Sequence, residues 1–195
     1  HYNLGYIAFH QKDYTQAQNW FRKYISLEKG ENKTALADAY NRIGDCYLDV
    51  RNFDEAKHYY SQAEAMNTPS GDYSFYQLAL VSGLQKDYSG KITLLNRLAG
   101  KYPASPYAIS ALYEKGRSYV LMDNNQQAIA SFKELLAKYP ESPVSRKAAA
   151  EIGLLYYQNE DYDQAINAYK QVVQKYPGSD EARLAMRDLK SIYVD

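Results

Sequence analysis

Tyr40-Asn41-Arg42-Ile43-Gly44-Asp45-Cys46-Tyr47 and Ala149-Ala150-Glu151-Ile152-Gly153-Leu154-Leu155-Tyr156 carry one pattern twice: an aliphatic residue, then Gly, then an aromatic three positions on. Nine residues beyond each Tyr stands a small residue, Ala56 or Ala165, and beyond it an aromatic, Tyr60 or Tyr169. The same ladder fits three further places, with Gly5, Ala17 and Phe21, with Ala79 and Leu95, and with Gly116, Tyr119, Ala128 and Phe132. The anchors 5, 44, 79, 116 and 153 stand 39, 35, 37 and 37 residues apart. Composition alone does not produce such spacing, so the chain reads as tandem repeats of one supersecondary unit.

Each position in the ladder has a physical reason. In the first helix of a unit, Gly44, Gly116 and Gly153 lie where the second helix crosses closely, since no Cβ holds the backbones apart. Ala17, Ala56, Ala128 and Ala165 do the matching job on the second helix. Phe21, Tyr60, Phe132 and Tyr169 follow four residues later on the same face and fill the space toward the next hairpin. Pro103, Pro140 and Pro177 stop the second helices, because Pro lacks a donor and disfavours helical geometry in the residue before it. The turns Gln11-Lys12-Asp13-Tyr14, Val50-Arg51-Asn52-Phe53, Gln85-Lys86-Asp87-Tyr88, Met122-Asp123-Asn124-Asn125 and Asn159-Glu160-Asp161-Tyr162 each hold an Asp or Asn able to cap the following helix.

This reading predicts first helices near 1–10, 34–49, 72–85, 106–121 and 143–158, and second helices near 14–28, 53–66, 88–101, 125–138 and 162–175. A last amphipathic segment, 179–193, sets Ala182, Ala185, Met186, Leu189 and Ile192 on one side and reads as a polar-backed cap. The third unit departs most: Lys91 takes the small-residue position, Ser82 replaces the Tyr, and Pro69-Ser70-Gly71 loosens its entrance. Its hairpin is expected to be the least tightly packed.

The ladder resembles the tetratricopeptide repeat family, whose pattern runs large residue, Leu-Gly, Tyr, Ala, aromatic, small or aliphatic, Pro. The resemblance implies an all-α fold, a right-handed α-solenoid of antiparallel helical hairpins with a C-terminal capping helix. It implies one domain over 1–195, with repeats at about 1–33, 37–70, 72–105, 109–142 and 146–179 and a cap at 180–193. The joints Lys101-Tyr102-Pro103-Ala104-Ser105-Pro106, Lys138-Tyr139-Pro140-Glu141-Ser142-Pro143 and Lys175-Tyr176-Pro177-Gly178-Ser179 resemble those of bacterial envelope members, such as the Tol-Pal accessory protein and the outer-membrane assembly lipoprotein. That likeness favours a periplasmic or outer-membrane-associated setting over the cytoplasm. The start at His1-Tyr2-Asn3, inside an expected helix, reads as part of a longer chain.

Composition narrows the function. Lys and Arg total 23 and Asp and Glu total 23, so no summed field draws in nucleic acid or an anionic membrane. No apolar run nears the roughly 20 residues that span a bilayer, so direct membrane insertion is not expected. Cys46 is alone and can form neither an internal disulfide nor a thiolate metal knot. His1, His10 and His58 share no metal-ligand spacing, and each reads as a surface or packed structural His. Glu151, Glu160, Asp161 and Asp163 read as turn, cap and solvent-face residues. Asn32-Lys33-Thr34 matches a glycosylation sequon, but Thr34 as a helix cap ranks ahead of it. No enzyme and no cofactor are expected.

Binding is a different matter, since stacked hairpins present a groove lined by their first helices. The resemblance sets the groove positions on Tyr2, Tyr6, Asn41, Asp45, Tyr76, Leu80, Tyr113, Arg117, Ala150 and Leu154. Tyr is abundant, 22 against 5 Phe and 1 Trp, and each Tyr joins a large apolar body to a polar tip. The Lys and Asn clamp by which eukaryotic chaperone-binding members grip a C-terminal carboxylate is not matched by Tyr2, Tyr6, Asn41 and Asp45. The expected role is a non-catalytic scaffold for a peptide or protein. Glycan or peptidoglycan binding on the Tyr-rich wall, or service as the scaffold segment of a larger enzyme or regulator, stands as the alternative. A homo-oligomer through the open N-terminal end is a further expectation.

Overall fold

The computed structural model describes residues 1–194 and, among these, holds only helices and their connections. They run α1 (Tyr2–His10), α2 (Tyr14–Leu27), α3 (Lys33–Asp49), α4 (Phe53–Ala65), α5 (Gly71–Leu84), α6 (Tyr88–Lys101), α7 (Ala108–Leu121), α8 (Asn125–Lys138), α9 (Pro143–Gln158), α10 (Tyr162–Lys175) and α11 (Asp180–Val194). Ten of these pair as five hairpins in the expected places, and α11 packs on α10 and α9. They gather into two compact units, one of residues 1–107 and one from residue 108 onward.

The turn within each hairpin uses one device five times. Lys12, Arg51, Lys86, Asp123 and Glu160 adopt left-handed backbone, with φ of 60°, 60°, 64°, 56° and 60°. Each lets the next amide reach back to the ending helix, as Asp161 N–H does to the Tyr156 carbonyl at 3.0 Å. The residue that follows is then the N-cap of the second helix. Asp13, Asn52, Asp87, Asn124 and Asp161 accept from the backbone N–H of Gln16, Glu55, Gly90, Gln127 and Gln164, a contribution of about 1 kcal/mol each. At α3 the cap is Asn32, which accepts from Ala35 N–H at 3.0 Å. The expectation that Thr34 caps this helix is therefore corrected: Thr34 already lies inside it.

Tyr102, Tyr139 and Tyr176 end the second helices outside helical geometry, with φ −130°, −133° and −123° and ψ 64°, 59° and 54°, each just before its Pro. Ala17, Ala56, Ala128 and Ala165 are fully buried, as are Phe21, Tyr60 and Phe132, with Tyr169 at 2%. The structure sharpens the role of the anchor glycines. A Cβ on Gly44 would meet the ring of Tyr60 at 2.7 Å, and one on Gly5 or Gly153 would meet Phe21 at 2.8 Å or Tyr169 at 2.6 Å. Each glycine therefore seats the aromatic ring of its own hairpin, sixteen residues on (5 to 21, 44 to 60, 153 to 169).

The third hairpin keeps this fit by exchanging its partners. Ala79 stands in place of Gly and Leu95 in place of the aromatic, and both are buried. Lys91 is 7% exposed in the small-residue position, and its aliphatic stem packs on Gly83, where a Cβ would come within 2.9 Å of the Lys91 Cδ. Gly71 makes room for Tyr102, whose ring meets Phe75 at 6.1 Å. In α11, Ala182 and Ala185 are buried and Leu189 and Ile192 pack on the core, but Met186 is 48% exposed. Met186 is thus corrected from the buried to the open side of that helix.

Candidate functional site

In the first unit, α1, α3 and α5 are joined side to side by hydroxyl and carboxylate groups. Tyr2 and Tyr6, four residues apart and so on one face of α1, both donate to Oδ2 of Asp38 on α3, Tyr2 at 2.6 Å. One turn on, Arg42 holds Asp45 at 2.9 Å and lies 3.6 Å from Asp38 through Nε. Asp45 also accepts from Tyr60 at 2.5 Å and from Tyr73 on α5 at 2.7 Å. The Arg42 guanidinium stacks 4.9 Å over the Tyr73 ring. Tyr107 extends the wall, edge-on to Tyr73 at 5.9 Å and stacked on Tyr76 at 5.1 Å.

The electrostatics follow from burial. Desolvation raises the Asp45 carboxyl above the ordinary aspartate value, although Arg42 and the hydroxyls of Tyr60 and Tyr73 oppose the rise. Burial lifts Tyr6 to about 12, and bonding to Asp38 adds to it; Tyr2, Tyr60 and Tyr73 rise for the same two kinds of reason. Desolvation works against the Arg42 charge, but Asp45, Tyr73 and Asp38 more than restore it, so it stays a cation. Two carboxylates thus share one guanidinium and four phenol donors, each charge-assisted bond contributing about 1.5–3 kcal/mol to holding the rings in place.

The second unit repeats the theme once on its first helices. Tyr113 on α7 donates to Glu151 on α9 at 2.6 Å, and Arg117 approaches the same carboxylate at 3.5 Å. Glu151, read from sequence as a solvent-face residue, is corrected to the partner of both. On the cap side, Tyr169 donates to Asp188 at 3.0 Å.

Of the groove positions expected from sequence, Tyr2, Tyr6 and Asp45 meet in the network of the first unit, and Tyr76 stacks beside it. Tyr113 and Arg117 meet at Glu151. Leu80 and Ala150 are half-buried and Leu154 is 42% exposed, with none of the three in either network. Asn41 is corrected: it is fully buried, accepting from the Ser74 hydroxyl at 2.8 Å, and does not reach a surface. Asp38, Arg42, Tyr73 and Tyr107 were not singled out, because Asp38 and Tyr73 sit six residues before the anchor, outside the offsets used. The signal at that offset is slight, since Ser110 and Lys147 stand there in the two units that follow.

No group of three or more His, Cys, Asp and Glu able to hold a metal occurs among the described residues. No described helix is long and apolar enough to cross a membrane. Cys46 is fully buried in the core with its thiol pushed up to about 12 by burial and the neighbouring Asp45, so it is a packing residue.

Models of the tetratricopeptide repeat match residues 1–68, 41–106 and 113–185. The chain belongs to the tetratricopeptide repeat family. Among solved structures, its fold is similar to that of MamA at 19% identity, covering 88% of this chain and 94% of MamA with a TM-score of 0.71. It is similar also to YrrB, described as a tetratricopeptide protein with an unusual peptide-binding site, at 17% identity, 95% and 89% coverage and a TM-score of 0.67. An uncharacterized ycf37 protein of Guillardia theta is 40% identical over 62 residues, 32% of this chain and 35% of that relative. The chain therefore spans about a third of that relative's length. The family and the fold place this tetratricopeptide chain among protein-interaction scaffolds.

Proposed function

We propose that this tetratricopeptide chain holds a peptide or protein segment against the walls made by its first helices, without transforming it. The observation that carries the reading is the fastening of Tyr2, Tyr6, Tyr73 and Tyr113 to buried or half-buried carboxylates. A ring already held loses little freedom when a partner covers it, so its apolar area goes to affinity. The peptide-binding site in the description of YrrB, which shares the fold, supports a peptide as ligand. The Tyr-Pro joints, by their likeness to envelope members, support an envelope assembly as the setting.

The test is peptide display against the wild-type chain and a Tyr76→Ala/Tyr113→Ala variant confirmed as folded by circular dichroism. The reading expects selected peptides to lose at least about tenfold in affinity on the variant, the size of one hot-spot side chain. Peptides that bind both proteins equally, and are displaced instead by changes on the second helices, would move the contact surface away from these walls.

A further inference from the structure

We propose that the wall of the first unit takes a cationic side chain of the partner, a lysine ammonium or arginine guanidinium, in the recess between α1 and α3 that half-buried Asp38 lines. The inference rests on the scaffold reading and names the partner's chemistry at one position. The recess measures about 320 Å³ and is lined by Tyr2, Tyr6, Asn32, Thr34, Ala35, Asp38 and Ser70. That lies at the low end for ligand pockets and suits one long side chain. Among the described residues that line it, Asp38 alone is charged, and it is an anion.

The Asp38 carboxylate has capacity left at Oδ1. Both phenols donate to Oδ2, whereas among the described residues the only neighbour of Oδ1 in an ion pair is Arg42 Nε at 3.6 Å, beyond hydrogen-bond length. Arg42 is drawn off by Asp45 at 2.9 Å and by the Tyr73 ring at 4.9 Å. Counted together, Asp38 and Asp45 carry two negative charges against one positive, half-withdrawn from water, with side chains 25% and 14% exposed. A cation arriving at Oδ1 supplies the missing charge, so electrostatic complementarity favours it over a neutral or acidic group. The Tyr2 and Tyr6 rings, 5.2 Å apart and edge to face, line the same recess and add aromatic surface to it. An acidic segment would meet Asp38 with no counter-charge within the recess.

The test titrates the chain with N-acetyl-lysine N-methylamide and its arginine counterpart. Tyr ring chemical shifts are followed, with Tyr2 and Tyr6 assigned through their Phe variants. The isosteric norleucine and the glutamate derivatives are the controls. The lysine and arginine probes are expected to give saturable shifts at Tyr2 and Tyr6 that weaken with added salt, and norleucine to bind at least tenfold more weakly. Asp38→Asn is expected to lower the affinity at least tenfold. Ala35→Leu, which fills the recess and leaves the carboxylate in place, is expected to abolish it even if Asp38→Asn proves poorly folded. Norleucine binding as well as lysine, or Ala35→Leu leaving the shifts unchanged, would overturn the proposal. Displayed peptides that depend on Tyr76 and Tyr113 yet carry no Lys or Arg would overturn it too while leaving the scaffold reading intact. Peptides indifferent to every first-helix change would remove that reading instead.

Discussion

The Tyr169 ring occupies the space that a side chain on Gly153 would need: a Cβ there would lie 2.6 Å from Tyr169 Cε1, closer than real Cβ contacts come. The ring cannot retreat, since Tyr169 is 2% exposed and its hydroxyl is bonded to Asp188 at 3.0 Å. Gly153→Ala is therefore expected to destabilise the second unit by about 1–3 kcal/mol, the range for forcing extra carbon into a packed core. Gly100→Ala is the control, because nothing lies within 4 Å of its added Cβ. There the ordinary preference of a helix for Ala should stabilise by about 0.5–1 kcal/mol. Urea unfolding followed by circular dichroism reads both, and equal effects of the two changes would refute the account of the anchor glycines.

Ala79 and Leu95, both buried and sixteen residues apart like the other pairs, hold the same two positions with the volume moved from one side to the other. Leu95→Phe alone should overpack and cost about 1–3 kcal/mol. With Ala79→Gly added, the ring gains the seat that the other hairpins provide, and much of that cost should disappear despite the roughly 1 kcal/mol helix penalty of Gly. A double-mutant cycle is expected to show a favourable coupling of about 1–2 kcal/mol. Additivity would mean that the third hairpin packs by other rules.

The left-handed turn residues carry a removable cost. Glu160 holds φ 60° where an L side chain crowds its own carbonyl, at roughly 1–2 kcal/mol. Glu160→Gly should raise stability by about 0.5–1 kcal/mol after the entropy of Gly in the unfolded chain is counted. The same change one position on, at the cap residue Asp161, should lower it by a few tenths to 1 kcal/mol, since the bond to Gln164 N–H is lost. Thermal unfolding of the two variants distinguishes strain at the turn from general tolerance of Gly there.

The hairpins were legible because they rest on local spacing. Gly with an aromatic sixteen residues on in four units, Asp or Asn after each turn and Pro after the last three second helices are marks within one unit, and the helices fall where these marks predict. The walls were legible only in part. Tyr2 and Tyr6 could be placed on one face of α1, but their acceptor Asp38 lies 36 and 32 residues away, on the next hairpin, where register between units decides what meets. Asn41 shows the limit: its offset matches that of Tyr2, Tyr76 and Tyr113, yet Ser74 draws it into the core. Lys91 shows another, since a charge at a small-residue position reads as a defect until its stem is seen on Gly83.

Asp45 gives the first unit a signature in pH. Its folded carboxyl is raised by desolvation, against the pull of Arg42, Tyr60 and Tyr73 and with that of Asp38. A raised folded value means that the unfolded chain releases its proton first as pH climbs. Between the ordinary aspartate value of about 3.9 and the higher folded one, the native state then binds more protons than the unfolded state. This group's contribution to stability is complete below that window and is lost as pH rises through it. Asp45→Asn removes the titration whatever it does to baseline stability, which should fall because Arg42 loses its closest partner. The plot of unfolding free energy against pH, followed by Trp20 fluorescence and circular dichroism from acid to neutral pH, is expected to slope less steeply downward in Asp45→Asn than in the wild type. A steeper downward slope in the variant would show that Arg42 outweighs desolvation at this carboxylate and that the wall is electrostatically satisfied without a partner.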